Sequence, residues 1–125
     1  MSLTAHQKQF VLGPLPVVAR PDWRTIRIAE GLVLSHCPKL RIEQLQSKDG
    51  VPYWLVGIAI RADEPMSAIS DGFPLRDSAE IENWSGFWAG RWFLISAERC
   101  WPDATGCLGI YHRRVSTGFW ISNSP

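Results

Sequence analysis

The residues able to do chemistry in this chain are scattered along it. They comprise hydroxyls at Ser2, Thr4, Ser35 and Ser78, imidazoles at His36 and His112, thiols at Cys37, Cys100 and Cys107, and carboxylates at Asp77 and Asp103. Ser2 and Thr4 are the candidate nucleophiles if the N-terminus is processed, because a terminal hydroxyl residue can attack a carbonyl with its own freed α-amine as base. That route also needs oxyanion donors, and no motif supplies them. Ser35-His36 sets a hydroxyl beside an imidazole, but no Gly-x-Ser-x-Gly elbow accompanies it. His36 and His112 are read as hydrogen-bonded packing histidines. A metal centre would have to gather His36, Cys37, Cys100, Cys107 and His112, with no Cys-x-x-Cys or His-x-x-x-His spacing to support it. Neither a metal nor any other cofactor is expected.

Binding chemistry is the other possibility, and seven tryptophans carry it. Exposed indole faces stack on sugars or bases, whereas buried ones fill cores. Trp54, Trp92 and Trp120 sit within strand-like runs and are expected in the core. Trp84, Trp88 and Trp101 adjoin Gly, Ser or Pro and are the candidates to line a groove for a small glycan or peptide, with Arg91, Arg99, Arg113 and Arg114 as a basic rim.

Size and charge restrict the partners. A chain of 125 residues suffices for one domain with one core. A net charge of +1, from 13 Lys and Arg against 12 Asp and Glu, sets up no general field for phosphate backbones or anionic lipids, so neither nucleic acid nor membrane is expected. No apolar run approaches the ~20 residues that span a bilayer, and the first residues lack the charged-then-apolar pattern of a secretory leader. An odd count of three cysteines fits a reducing compartment, and the expected location is the cytoplasm.

The elements that must position these groups follow from periodicity. Residues 1–22 contain Pro14, Pro16 and Pro21 and read as an extended arm lying along a sheet edge or on a neighbouring chain. Residues 23–28 alternate apolar and polar as a half-buried strand does, followed by strands at 32–34 and 39–43. Asp49-Gly50 predicts a type I′ hairpin into the strand 51–60, whose apolar residues face both ways. Asp63-Glu64-Pro65 predicts a first helix, ended by Asp71-Gly-Phe-Pro74, and a second helix runs from Asp77 or Ser78 to Gly86. Strands follow at 90–96, 106–112 and 118–123, with Ser116-Thr-Gly118 as the last turn. The class is α+β with antiparallel sheets and one or two covering helices, in one domain over 23–125.

A family resemblance refines this. Gly90-Arg-Trp-Phe-Leu-Ile95, Asp103-Ala-Thr-Gly106, Ile110-Tyr-His112 and Trp120-Ile-Ser-Asn-Ser124, in this order, resemble the second half of the class II glutamine amidotransferase domain of asparagine synthetase-like proteins. The resemblance implies a sandwich of the N-terminal-nucleophile fold over residues 77–125, while 23–61 match in strand order and turn placement. It implies a site in which Asp77, within Arg76-Asp77-Ser78-Ala79-Glu80, stands where that family grips the substrate amine. It also implies a catalytic cysteine at the mature N-terminus, where this chain has Met1-Ser-Leu-Thr-Ala-His6. The Arg-His-Arg-Gly-Pro-Asp and Asn-Gly-Glu segments of the family have no counterpart between Trp23 and Asp77. The expectation is therefore an amidotransferase-like domain without glutamine hydrolysis, acting in binding or assembly, with Asp77, Trp84, Trp88, Arg91, Trp101 and Asp103 as candidate binding residues. Self-association or a synthetase-type partner domain would then be its partner, and the chain would be the N-terminal part of such a synthetase or a standalone remnant. Two alternatives stay open: an active amidohydrolase with a processed N-terminus, and a tryptophan-lined binding module.

Overall fold

The computed structural model describes residues 9–103, 111–115 and 118–123, with 111–115 described in backbone only. The described chain is α+β: two antiparallel sheets and two short helices. It divides into two compact units, Met1–Arg41 with Gly109–Pro125, and Ile42–Leu108.

The first unit is a five-stranded sheet ordered β2-β3-β1-β9-β8, from β1 (Phe10–Gly13), β2 (Arg24–Ala29), β3 (Leu32–His36), β8 (Tyr111–Val115) and β9 (Gly118–Ser122). Within the arm expected along a sheet edge or on a neighbouring chain, residues 10–13 instead form an interior strand. β1 pairs with β3 through Phe10 opposite His36, and with β9 through Leu12 opposite Ile121. The reason lies in residue order, since Phe10-Val-Leu-Gly13 keeps every backbone N–H and the prolines begin only at Pro14, where the strand has ended. Phe10, Leu12 and Leu34 are buried on one face of this sheet. β8 and β9 meet with Val115 opposite Gly118, although the Ser116 and Thr117 expected to make that turn lie outside the described residues.

The second unit is a four-stranded sheet ordered β4-β5-β6-β7, from β4 (Ile42–Gln46), β5 (Pro52–Ile60), β6 (Ala89–Ile95) and β7 (Cys100–Pro102). β4 starts three residues later than the strand expected at 39–43, because 38–41 turn with Leu40 N–H donating to the Cys37 carbonyl. The β4–β5 connection is not the expected type I′ turn, which needs positive φ at both central residues. Of the residues in this connection, 47–50, Gly50 alone has positive φ, at +83°. Gly50 N–H donates to Ser47 C=O and Ser47 N–H to Val51 C=O, each at 3.0 Å. This is the pattern of a longer hairpin loop that closes on a glycine in the left-handed region.

Between β5 and β6 the chain forms α1 (Ile69–Gly72), a 3-10 turn (Phe73–Leu75) and α2 (Ser78–Ser85). The helix expected to start at Asp63 starts six residues later. Asp63 and Glu64 are held by Arg61, and Ser67 N–H donates to Glu64 C=O, so 63–67 is a turn. Strand alternation then sorts the sheet's two faces. Tyr53, Leu55, Trp92 and Leu94 pack with Ile69, Phe73, Ile81, Trp84 and Trp88 of the helical segment in one buried cluster. On the opposite face Trp54, Val56, Phe93 and Ile95 are buried, while Ile58 and Ile60 are exposed. The two-sided apolar character expected of β5 thus holds along its first half. A short strand not expected from sequence, β7, stands at 100–102; of the strand expected at 106–112, residues 106–110 lie outside the described part and β8 begins at Tyr111, and residues 104–106 of the Asp103 turn also lie outside it.

Candidate functional site

Helix α2 begins where its sequence lets it. Asp77 is extended, and its carboxylate accepts from Glu80 N–H at 2.9 Å, the N-cap arrangement that satisfies a donor left free by the first turn. A second carboxylate arrives from the β4–β5 loop: Asp49 accepts from Ser78 N–H at 3.1 Å and from the hydroxyls of Ser78 and Ser47. Lys48 N–H donates to Arg76 C=O at 2.7 Å beside it. Loop and helix are therefore stitched together at the outer end of the core. The Ser47 hydroxyl, and after it that of Ser78, hold Asp49 well below the ordinary carboxylate range, at about 2.

At the far end of β5, Arg61 is buried and forks onto Asp63, Nε to Oδ1 at 3.2 Å and Nη2 to Oδ2 at 3.0 Å, with Glu64 Oε2 3.2 Å from Nη2. Arg76 Nη2 lies 3.6 Å from the same Asp63 oxygen, and its Nη1 donates to Gly72 C=O at 3.0 Å. Both guanidiniums face the Trp84 ring, Arg76 at 3.8 Å and Arg61 at 5.2 Å from its centre, a cation–π geometry. The Arg61 hydrogen bonds are the main cause that lowers Asp63 to about 2.

Behind this cluster the tryptophans form an edge-to-face ladder. Trp84 and Trp88 are 5.0 Å apart between ring centres, and Trp88 and Trp92 are 5.1 Å apart. Phe73 lies 6.0 Å from Trp88 and 5.4 Å from Tyr53. The indole N–H groups of Trp88 and Trp92 meet no oxygen acceptor among the described residues. Edge-to-face contacts, in which a ring's positive edge meets a negative π face, are the polar interaction left to them.

These positions decide what each candidate can do. Asp77 is a helix cap. Trp84 and Trp88 are buried, with the ring faces a groove would use taken up by Arg76, Phe73 and neighbouring indoles. Trp101 is half-buried beside Tyr53 at 6.0 Å. Asp103 is buried at the end of β7, where its N–H donates to Trp92 C=O at 3.1 Å and its Oδ2 accepts from Trp92 N–H at 3.4 Å. Arg91 is exposed on β6 opposite Ile58, on the sheet face away from the helices, and so stands apart from the others. Ser2, Thr4 and Cys107 lie outside the described residues, as does the side chain of His112.

The Ser35-His36 pairing does not form a dyad, since successive strand residues point to opposite faces. Ser35 Oγ accepts from Val17 N–H at 2.8 Å, and His36 Nδ1 lies 2.8 Å from Cys37 C=O. Cys37 and Cys100 are free thiols, with burial raising the pKa of Cys100. Among the described residues no three His, Cys, Asp or Glu side chains come together to hold a metal ion. No described helix is long and apolar enough to cross a membrane.

Asp49, Arg61, Asp63 and Arg76 were not candidate site residues from sequence, Asp49 and Asp63 being read there only as turn and helix-start signals. Their one local sign is charge beside an apolar run, and nothing local connects residue 49 to 78, or 61 to 76 and 84. As chemistry, the set is self-satisfied. Ser78 has Asp49 for a partner, but a carboxylate at about 2 is too weak a base to activate a hydroxyl near neutral pH.

The depressed carboxylates predict an acid transition. Their folded values lie below the ordinary 3.8, so their stabilisation is fully present above that value and is lost as pH falls towards 2. Unfolding midpoints in urea, read between pH 5 and 2, should fall steeply below about pH 4. Asp49→Asn and Asp63→Asn should each flatten that descent, and a wild-type curve level down to pH 2 would contradict the assignment.

The sequence matches no family model, no curated protein and no solved structure.

Proposed function

We propose that this chain is a non-catalytic binding or assembly module, an amidotransferase-like scaffold without glutamine hydrolysis. The observation that carries this reading is the mutual saturation of the charged and hydroxyl groups around the helical layer. Asp77 and Asp49 are spent on the start of α2, and Arg61, Arg76 and Asp63 on one another and on Trp84. Groups used in this way fix a surface rather than turn over a substrate. The family resemblance adds a sandwich of the N-terminal-nucleophile type and a place beside a synthetase-type partner domain. The α+β content and antiparallel sheets are compatible with it.

The test is covalent. The protein, carrying its native N-terminus, is incubated with an electrophilic glutamine analogue beside an active amidotransferase, and intact masses are read. No adduct on this chain with full labelling of the control is the expected result. A single stoichiometric adduct would overturn the proposal, and mapping it to Ser2, Thr4 or another residue would identify a working nucleophile.

A further inference from the structure

The four outer strands of the two sheets differ in how they are guarded. An edge strand exposes backbone N–H and C=O groups to any other strand, and proteins blunt such edges with positive charge, proline, bulges or short length. β2 carries Arg24 and Arg27 and shifts register between Arg27 and Ala29. β7 is three residues long and ends in Pro102. β8 has Arg113 and Arg114 in its sequence. β4 has none of these devices along Ile42-Glu-Gln-Leu-Gln46, which runs in unbroken register against β5 with Glu43 its one charge; the 3-10 turn Phe73–Leu75 and Arg76 lie beside it, with Lys48 N–H donating to Arg76 C=O just past its end. Among the described residues its backbone bonds only to β5.

We infer that β4 is a strand-pairing surface whose occupant is the β4 of a second copy, joined antiparallel about a two-fold axis near Leu45. This rests on the reading of the chain as an assembly module and names the surface it uses. The sequence about Leu45 is self-complementary in that register. Leu45 meets Leu45 on one face of the joined sheets, and Gln44 meets Gln46 twice on the other. An amide side chain both donates and accepts, so each glutamine pair can bond reciprocally. Glu43 falls opposite Ser47, so no like charges oppose one another. A recess of about 330 Å3 lined by Gln44, Leu45, Gln46, Gly50 and Pro52 lies alongside the strand and receives the partner's amide side chains. Pairing over five residues is far smaller than the ~1,200 Å2 of a stable interface, so the dimer is weak and depends on concentration.

Sedimentation velocity from 10 µM to 1 mM on the full chain, with amide hydrogen exchange at both ends of that range, tests the inference. A reversible dimer is expected, with exchange at Glu43–Gln46 slowed at high concentration. Gln44→Lys with Gln46→Lys, both at exposed positions, sets lysine against lysine twice and should weaken the dimer roughly tenfold or more without changing far-UV circular dichroism. A dimer unaffected by these lysines would overturn the β4 assignment while leaving assembly itself in place. A monomer throughout would overturn both the edge pairing and self-association. Slowed exchange in β4 upon adding a generic extended peptide, with the protein alone monomeric, would give the edge to a foreign strand and overturn the second copy as its occupant.

Discussion

Trp92→Ala should destabilise the protein by about 3–5 kcal/mol, the range for deleting a large aromatic from a packed core. Trp92 is 1% exposed, and its ring ends the Trp84–Trp88–Trp92 ladder. Its backbone exchanges two hydrogen bonds with Asp103, so the strand is held in place and cannot close over the void. The penalty is about a fifth or more of the 5–15 kcal/mol that stabilises a typical domain. Urea unfolding followed by far-UV circular dichroism, which does not use the deleted fluorophore, should show the midpoint falling with unchanged slope. Trp92→Phe should restore part of the loss. A midpoint within about 1 kcal/mol of wild type for the alanine variant would mean that the ring is not packed as described.

Gly57→Ala should be nearly as damaging, for a different reason. Gly57 has φ of +89°, and a Cβ there would stand 2.4 Å from the Arg91 carbonyl oxygen on the facing strand. Gly90 mirrors it across the ladder, with φ of +104° and a Cβ position 2.4 Å from the Ile58 carbonyl oxygen. The two strands approach so closely because Gly57 lies opposite Trp92, where the missing side chain leaves room on the face the indole occupies. A side chain at Gly57 meets backbone, which cannot rotate away, so β5 and β6 must separate. Left-handed strain adds ~1–2 kcal/mol and overpacking another ~1–3 kcal/mol. Gly50→Ala is the control, since its φ of +83° is similar but the nearest atom to its Cβ is the flexible Gln46 amide at 3.7 Å. It should show the backbone strain alone. Because Gly57→Ala and Gly90→Ala force apart the same strands, the double variant should lose less than the sum of the singles. Strict additivity, or a Gly57→Ala cost no larger than that of Gly50→Ala, would contradict the close approach.

Local signals in the sequence were enough for several elements. Asp77 followed by Ser-Ala-Glu and the apolar Ile81 and Trp84 marked α2 with its cap, because capping and helical period act within one turn. The alternation of residues 23–28 and the long apolar run after Pro52 marked β2 and β5, since strand period acts between neighbours. Signals failed where a distant partner decides. Asp63-Glu64-Pro65 has the composition of a helix start, but Arg61 claims both carboxylates and a turn forms instead. Gly57 reads as a gap in an apolar strand until Trp92 is set opposite it.

What the sequence by itself determined is the α+β class, the capped helix and the main strands, because each depends on period, capping or turn chemistry over a few residues. Only the tertiary structure decided that the proline-flanked β1 lies inside a sheet between β3 and β9, and that Trp84 and Trp88 face arginines and aromatic rings within the protein. It likewise decided that β4 lies at the edge of its sheet. Strand order, ring contacts and edge exposure depend on residues far apart in the chain, and the free energy of bringing those together is not written in any local window.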